Sequence, residues 1–396
     1  MELFAGITVL SLEQATVLPY LTYRLAVEGM TVIRLEHPER PDPNRFVGRD
    51  VLGEKGMNSY YFPNNLGKKA ITLNLRGEEG QELLRELILK LDVDIFATNQ
   101  LPRNYAKLGI DYERLKGVKE DIIWVGVTGF GPESNEAAYD PILQARSGFM
   151  ELTGEAGGEP MVFGLPMADL GASEHAYGQV MKALYKRAAT GEGSRIDISM
   201  FQSAVSWLVN PVLLGKSFGA KVTRRGNTHE FFAPVSVYET RDGYVYVAVG
   251  NDRQWQTITE QPGFEGLYKE EYKTNVGRIA DVHGLNESIR QVTKTRTTAE
   301  MVELFNRIGV PISTVSSIEE VVEDPYLKGK LISSKDSRTG TEVFLPPPPV
   351  ITPYLESAKM QLSFPPRWGE HNEEIYGDAL GYDAERLAAL KASGVI

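Results

Sequence analysis

Apolar and polar positions alternate in two rhythms through the first 130 residues. Short apolar runs, GITVLSLE, MTVIRLE, KKAITLNL, VDIFATN and DIIWVGVTGFG, read as strands. Between them lie stretches of helical period. These are Pro19 to Glu28, closed by Gly29, then Gly77 to Leu91, with Leu83, Leu84, Leu87 and Leu91 on one side, and Arg103 to Leu115. The alternation predicts an α/β fold: a Rossmann-like parallel sheet covered by helices, wound with right-handed crossovers. Ligands of such sheets bind beyond the carboxyl ends of the strands. That rule directs attention to Glu13–Thr16, Glu36–Pro38, Asn99–Arg103 and Thr128–Pro132. No Gly-x-Gly-x-x-Gly follows the first strand and no Gly-Lys-Ser/Thr loop occurs, so the common nucleotide fingerprints are missing.

After about Gly215 the texture changes. Alternating segments on both sides of Arg241-Asp242-Gly243 signal a hairpin. Trp255 to Glu260, Asn275 to His283 and Ala299 to Gly309 read as helical or turn-rich. Three divisions follow: a large domain over 1–214, a smaller α+β domain over 222–332, and a linker with a C-terminal segment over 333–396 that returns to the large domain. Pro346–Pro349 makes the linker extended. Two short helical segments around Gly381 close the chain.

Candidate chemistry concentrates in residues 164–207. A loop rich in Gly and Pro delivers Asp169, and a helix begins directly behind it. Leu170, Tyr177, Val180 and Leu184 fall near one side of that helix, which ends at Lys186, Arg187 and a Thr-Gly-Glu-Gly turn. A strand, RIDIS, and a second helix from Met200 follow. Asp169 reads in two compatible ways. It is a good N-cap residue. It is also a candidate nucleophile, kept ionised by the helix dipole and the free N–H groups. A carboxylate so placed can attack an activated acyl group. Gly164 and Gly171 leave backbone room for a substrate.

Composition narrows the classes. Of 396 residues, 42% are hydrophobic and 24% charged, which suits a globular protein with a sizeable core. There is no cysteine, so disulfides, thiolate catalysis and thiolate metal sites are excluded, and no metal site is expected. No signal-peptide pattern and no apolar run long enough to span a membrane is present, so the expected location is cytoplasmic. The net charge of −11 argues against nucleic acid as a partner. An anionic ligand would need a local basic pocket set against that field.

Further stretches carry a resemblance. They are GMTVIRLEHP with Asn44-Arg45, NNLGKKAITLNLRGEEG, PRNYAKLGIDYERL, VTGFGP, AYDPILQARSGFMELTG and the segment ADLGASEHAYGQVMKALYKRAATGEGSRIDISM. RGNTHEFFAPVSVYETRDGYVYVAVGNDRQW, IGVPISTVSSIEEVVEDPYL and the tail from Trp368 continue the series. In this order, over nearly the full length, the chain resembles the family III CoA-transferases, which include formyl-CoA, carnitine and benzylsuccinate CoA-transferases. The resemblance implies an interlocked dimer. It also implies transfer of CoA from an acyl-CoA donor such as succinyl-CoA to a carboxylic acid acceptor, for instance a dicarboxylate. Asp169 matches the family's nucleophile, which forms a mixed anhydride and then an aspartyl-CoA thioester. Coenzyme A enters as a thioester substrate, and no permanently bound cofactor is implied.

Other positions carry over as contacts for CoA. Asn99 and Lys107 fall in the CoA-binding segment, with Arg103 a nearby second candidate; Lys107 matches a position that contacts phosphates. Thr16 and Val17 match the loop over the thiol end, and His37 a position against adenine. Asp140 matches an acidic position near the active site, and equally reads as a turn-capping residue before Pro141. The chain departs from the family at Asn99–Arg103, at Pro41–Arg45 and at Glu230 after His229. An altered CoA segment beside a well-matched nucleophile also fits one subunit of a hetero-oligomer whose partner supplies part of the CoA site. The rival chemistry is acyl-CoA racemisation, which needs a second proton-transfer group. The racemases place a His just before the position of Ala138–Asp140; none stands there, and His175 lies six residues beyond Asp169.

Overall fold

The computed structural model describes residues 2–396. Six strands form a wholly parallel sheet: β1 (Thr8–Leu12), β2 (Thr31–Glu36), β3 (Lys68–Thr72), β4 (Ile95–Thr98), β5 (Ile123–Thr128) and β6 (Ser194–Ser199). Their order is β3-β2-β1-β4-β5-β6. The winding reverses between β1 and β4, which pair to their last residues, Leu12 and Thr98, and a crevice lies among the segments beyond those carboxyl ends.

Alternate residues of each strand feed two cores. On one face Leu10, Ile33, Ile71, Phe96 and Trp124 meet Leu83, Leu84, Leu87 and Ile88 of α2 (α1, Val17–Ala26; α2, Glu78–Lys90). Each of those buried leucines contributes about 1.5–3 kcal/mol. The chain's last residues, Val395 and Ile396, belong to the same core. The C-terminal segment also covers the edge strand β3. Asn372 accepts the Thr72 N–H, and the His371 N–H bonds the Ala70 carbonyl.

On the other face Val9, Val32, Ile95, Val125 and Val127 meet α1 and a long helix. Four shorter helices precede that long helix: α3 (Tyr105–Leu108), α4 (Tyr112–Val118), α5 (Asp140–Ser147) and α6 (Phe149–Leu152). The long helix is α7 (Met167–Thr190). Its buried side is made of Ala168, Ala172, Ala176, Val180 and Ala183, whereas Leu170, Tyr177 and Leu184 are only half buried. Small side chains let α7 approach α1 closely. The pair is pinned by the Ser173 hydroxyl donating to the Val17 carbonyl at 2.6 Å. After β6 come α8 (Met200–Ser206) and α9 (Val209–Phe218).

Two expected elements differ. Arg103 to Leu115 is not one helix: Gly109 turns left-handed at φ +70°, and Asp111 then caps α4 by accepting the Arg114 N–H. Asn275 to His283 is split at Asp281, which caps a following helix of twelve residues.

The chain divides into two compact units. The first comprises Met1–Phe149, Val162–Phe218 and Gly329–Ile396. The second comprises Met150–Met161 and Gly219–Lys328. The sequence places 150–161 with the large domain; in the structure they belong to the second unit. Arg224 bonds Glu151 and the Gly158 carbonyl, and the Gly226 N–H bonds the Gly154 carbonyl. The second unit has a three-stranded antiparallel sheet, β7 (Val235–Glu239), β8 (Tyr244–Ala248) and β9 (Ile312–Thr314). The hairpin around Asp242 joins its first two strands. Among the described residues no helix is long and apolar enough to cross a membrane.

Candidate active site

The crevice between β1 and β4 holds a cavity of about 170 Å³. Its walls are Gln14–Val17 after β1, Asn99 after β4, Thr128 and Gly129 at the end of β5, Ala138, and Asp169 from the first turn of α7. Thr16, Val17, Asn99 and Asp169 therefore meet in one place, although up to 153 positions separate them in the chain.

Asp169 is the third residue of α7 and not its cap; Pro166 precedes the first turn. The free N–H groups of that turn are taken by a different carboxylate. Asp140, first residue of α5, accepts from Ala168 at 2.7 Å and Asp169 at 3.1 Å through one oxygen. Its other oxygen accepts from Gln144 at 2.5 Å. Gln144 in turn holds the approach to α7, donating to the Leu165 carbonyl and accepting the Phe163 N–H. Asp140 thus anchors the helix that presents Asp169, with both its oxygens occupied by protein donors.

This arrangement corrects the expectation that the helix terminus keeps Asp169 ionised. The terminus is already neutralised by Asp140. Burial is the first cause that pushes Asp169 up, and the nearby Asp140 charge is the second; together they raise its carboxyl from 3.8 to about 7. At neutral pH about half of Asp169 is therefore ionised.

A second cavity of about 270 Å³ adjoins the first and shares Gln14 as wall. His37, Arg40, Arg76, Gln100 and Lys107 line it. Three cations in one concavity of an acidic protein make a local basic pocket. His37 accepts the Glu39 N–H, and burial together with Arg40 and Arg76 lowers its pKa. His37 and Lys107 therefore stand together, whereas Arg103 lines neither cavity and its N–H bonds Asn135. Asn99 clasps the loop after β1: its amide accepts the Gln14 N–H at 3.2 Å and donates to the Gln14 carbonyl at 2.8 Å.

Sequence reasoning pointed to the Glu13–Thr16 segment that contains Gln14, but did not single out Arg40, Arg76 or Gln144. Arg40 and Arg76 sit just past β2 and β3, where the carboxyl-end rule points. His175 faces away from this chemistry. Its ring bonds the Ser203 hydroxyl at 2.7 Å and accepts from the Trp207 indole at 3.3 Å, and it lines neither cavity.

Comparison with known proteins identifies the family. Residues 4–372 match CoA-transferase family III. The chain is 29% identical to succinyl-CoA:glutarate CoA-transferase of Homo sapiens over 397 residues, covering 99% of this chain and 89% of that protein. It is 31% identical to formyl-CoA:oxalate CoA-transferase of Streptomyces coelicolor over 415 residues, covering 99% and 98%. A CAIB/BAIF family protein from Brucella suis superposes with a TM-score of 0.82 at 30% identity, covering 95% of this chain and 99% of that one. With the family's match along almost its whole length, the chain belongs to the family III CoA-transferases.

Proposed function

We propose that the enzyme moves CoA from succinyl-CoA to a small dicarboxylic acid of the glutarate type, through Asp169. The observation that carries this reading is the placement of Asp169, buried, in the wall of the crevice beside a cationic cavity suited to CoA phosphates. In the first step an Asp169 oxygen attacks the thioester carbonyl, the C–S bond breaks, and CoA leaves as thiolate from a mixed anhydride. The thiolate attacks the aspartyl carbonyl of that anhydride, releasing the donor carboxylate and leaving an aspartyl-CoA thioester. The acceptor carboxylate reverses both steps, and Asp169 is regenerated as carboxylate. No proton is gained or lost, so the site needs an ionised Asp169, donors for each tetrahedral oxyanion and exclusion of water. The dicarboxylate choice rests on relatives in Homo sapiens and Agrobacterium fabrum, the latter a succinate–glutarate CoA-transferase at 31% identity.

Racemisation has no support here, because His175 is engaged with Ser203 and Trp207 away from the cavity. The shared Gln14 wall argues that one chain carries both nucleophile and CoA grip, without a dissimilar partner. A second copy of the same chain is supported by α9. Val209, Val212, Leu213 and Phe218 of this helix are exposed, and it buries none of its residues. A ten-residue helix with no packed face is marginal in water, and so large an apolar display marks an interface.

The test is a screen of succinyl-CoA, formyl-CoA and acetyl-CoA against glutarate, oxalate and other carboxylic acids. After mixing with donor, hydroxylamine capture and peptide mass spectrometry should place the adduct on Asp169. Transfer with no adduct at Asp169 would overturn the covalent route; transfer from formyl-CoA to oxalate alone would overturn the substrate class. Light scattering should give twice the 44.0 kDa chain mass.

A further inference from the structure

The loop that faces Asp169 is held in a conformation its sequence does not favour. Ala15 has φ +63°, in the left-handed region. For a residue with a Cβ this costs about 1–2 kcal/mol. Such strain persists only where surrounding contacts over-determine it, and it collects at functional sites.

Here the contacts are complete. The Ala15 N–H donates to Asp42 at 3.0 Å, and the Ala15 carbonyl accepts from the Asn44 amide at 2.8 Å. Asn99 takes both backbone groups of Gln14. Three side chains thus engage all four backbone groups of Gln14 and Ala15. The next two N–H groups, of Thr16 and Val17, have no acceptor in the protein among the described residues. Thr16 and Val17 line the cavity that contains Asp169.

Asp42 is itself immobile. It is buried, its second oxygen pairs with Arg34 at 2.9 Å, and its N–H bonds Glu36. Glu36 is gripped by Arg45 through two bonds of 2.8 and 2.6 Å, and Glu13 pairs with Lys68 at 2.8 Å. Three carboxylates and three cations, all buried, form one network under the loop. Buried ion pairs are weak contributors to stability, because desolvation offsets their attraction. Burial alone therefore does not account for so large a network. What it does supply is a rigid support for Asp42, whose other oxygen accepts both the Asn44 N–H and the N–H of the strained Ala15.

We propose that Asp42 is a positioning residue for CoA transfer: it holds Ala15 left-handed and so fixes the Thr16–Val17 wall against the acyl group as Asp169 attacks. Asp42 touches no reacting atom; it acts through the backbone of Ala15. The inference rests on the reading of Asp169 as nucleophile. A wall set for the tetrahedral state affects kcat more than binding of the ground state.

The test uses the full-length enzyme with succinyl-CoA and its best acceptor. Asp42→Ala is expected to lower kcat about 100-fold, the loss typical of one oxyanion contact, with KM for succinyl-CoA changed less than threefold. Asp42→Asn keeps the volume but turns a donor toward Arg34, and serves if the alanine variant fails to fold; the same kcat signature, about tenfold, is expected. Ala15→Gly removes the steric penalty of the left-handed backbone. Added to either Asp42 variant, it should recover at least fivefold in kcat relative to the Ala15→Gly single variant's own baseline. A rise in KM with kcat intact, or no recovery by Ala15→Gly, overturns the role of Asp42. Capture on Asp169 separates the two readings. If the unmodified enzyme forms no Asp169 adduct, the nucleophile assignment falls. If it does, and Asp42→Ala forms it at the same rate, only the positioning role falls.

Discussion

Asp140→Asn isolates the electrostatic part of the Asp140–Asp169 relationship. Asn can place its oxygen where the two N–H groups of Ala168 and Asp169 converge, so α7 keeps its cap. The amide nitrogen then faces Gln144, which loses one of its two acceptors and keeps Leu165. That lost bond costs about 1–2 kcal/mol of stability. The charge disappears with little change in shape. Asp169 titrates near 7 instead of 3.8, with burial the larger cause and Asp140 the smaller. Asp140 therefore accounts for less than half of the rise, on the order of one pH unit or about 1.4 kcal/mol. The assay is kcat/KM for succinyl-CoA between pH 5 and 9, which reports groups of the free enzyme. The unmodified enzyme should lose activity below about pH 7, and the variant below about pH 6. At pH 6 the ionised fraction of Asp169 rises from about one-tenth to one-half, a relative gain of about fivefold against each enzyme's own plateau. An acid limb that stays at pH 7 while the plateau falls would show that Asp140 supports the helix and leaves the charge of Asp169 alone.

Asp169→Asn should abolish exchange and at the same time stabilise the fold at pH 8. The raised carboxyl binds its proton more tightly in the native state, so its contribution is complete below about pH 4 and is lost progressively as pH rises from there through about 7, by up to ~4 kcal/mol; urea unfolding at pH 5 and pH 8 should show the variant gaining about 1–2 kcal/mol at the lower pH and about 4 at the higher. Lys107→Ala and Arg76→Ala should each raise KM for succinyl-CoA severalfold and flatten its dependence on salt, with kcat little changed, because both line the cationic cavity and neither touches the cavity of Asp169. An unchanged KM in steady-state assays at 50 and 300 mM salt would remove that cavity from CoA binding. Acid should weaken the charge network under the loop. Arg34 and Arg45 overcome the burial that raises Glu36 and hold it at about 2, so its stabilisation is present above pH 4.5 and lost as pH falls through 2, about 3 kcal/mol in all. Denaturant midpoints at pH 5 and 2.5 would show this loss.

Patterns of local period were readable in the chain; contacts between distant segments were not. The strands β1 to β6 and the helices between them follow from apolar runs a few residues long, and Asp169 stands out as a carboxylate between a Gly- and Pro-rich loop and a helix start. The buried face of α7 is less legible. Counting large apolar residues selects Leu170, Tyr177 and Leu184, yet close packing on α1 selects Ala168, Ala172, Ala176 and Ala183. Where two helices nearly touch, the core side is marked by small residues, and hydrophobicity alone ranks it below the flank. The break at Gly109 was carried by a glycine and by Asp111 two positions on, a stop and a cap that interrupt an otherwise helical pattern.

The state of Asp169 depended on a residue that no local rule connects to it. Capping patterns relate positions three apart, and the N-terminus of α7 is capped from 28 positions away. Read alone, a carboxylate in the first turn of a helix is stabilised as an anion. A second carboxylate on the same N–H groups reverses the sign, since the dipole is spent on Asp140 and only burial and repulsion remain for Asp169. The reversal suits the chemistry. An anion strongly stabilised by hydrogen bonds is a poor nucleophile, because those bonds must weaken as it attacks. Asp169 is held by its backbone, and burial and the Asp140 charge both act against its anion, so forming the proposed neutral anhydride would relieve both. In the proposed reaction the same two effects that make Asp169 costly to the folded state would therefore lower the barrier to its acylation.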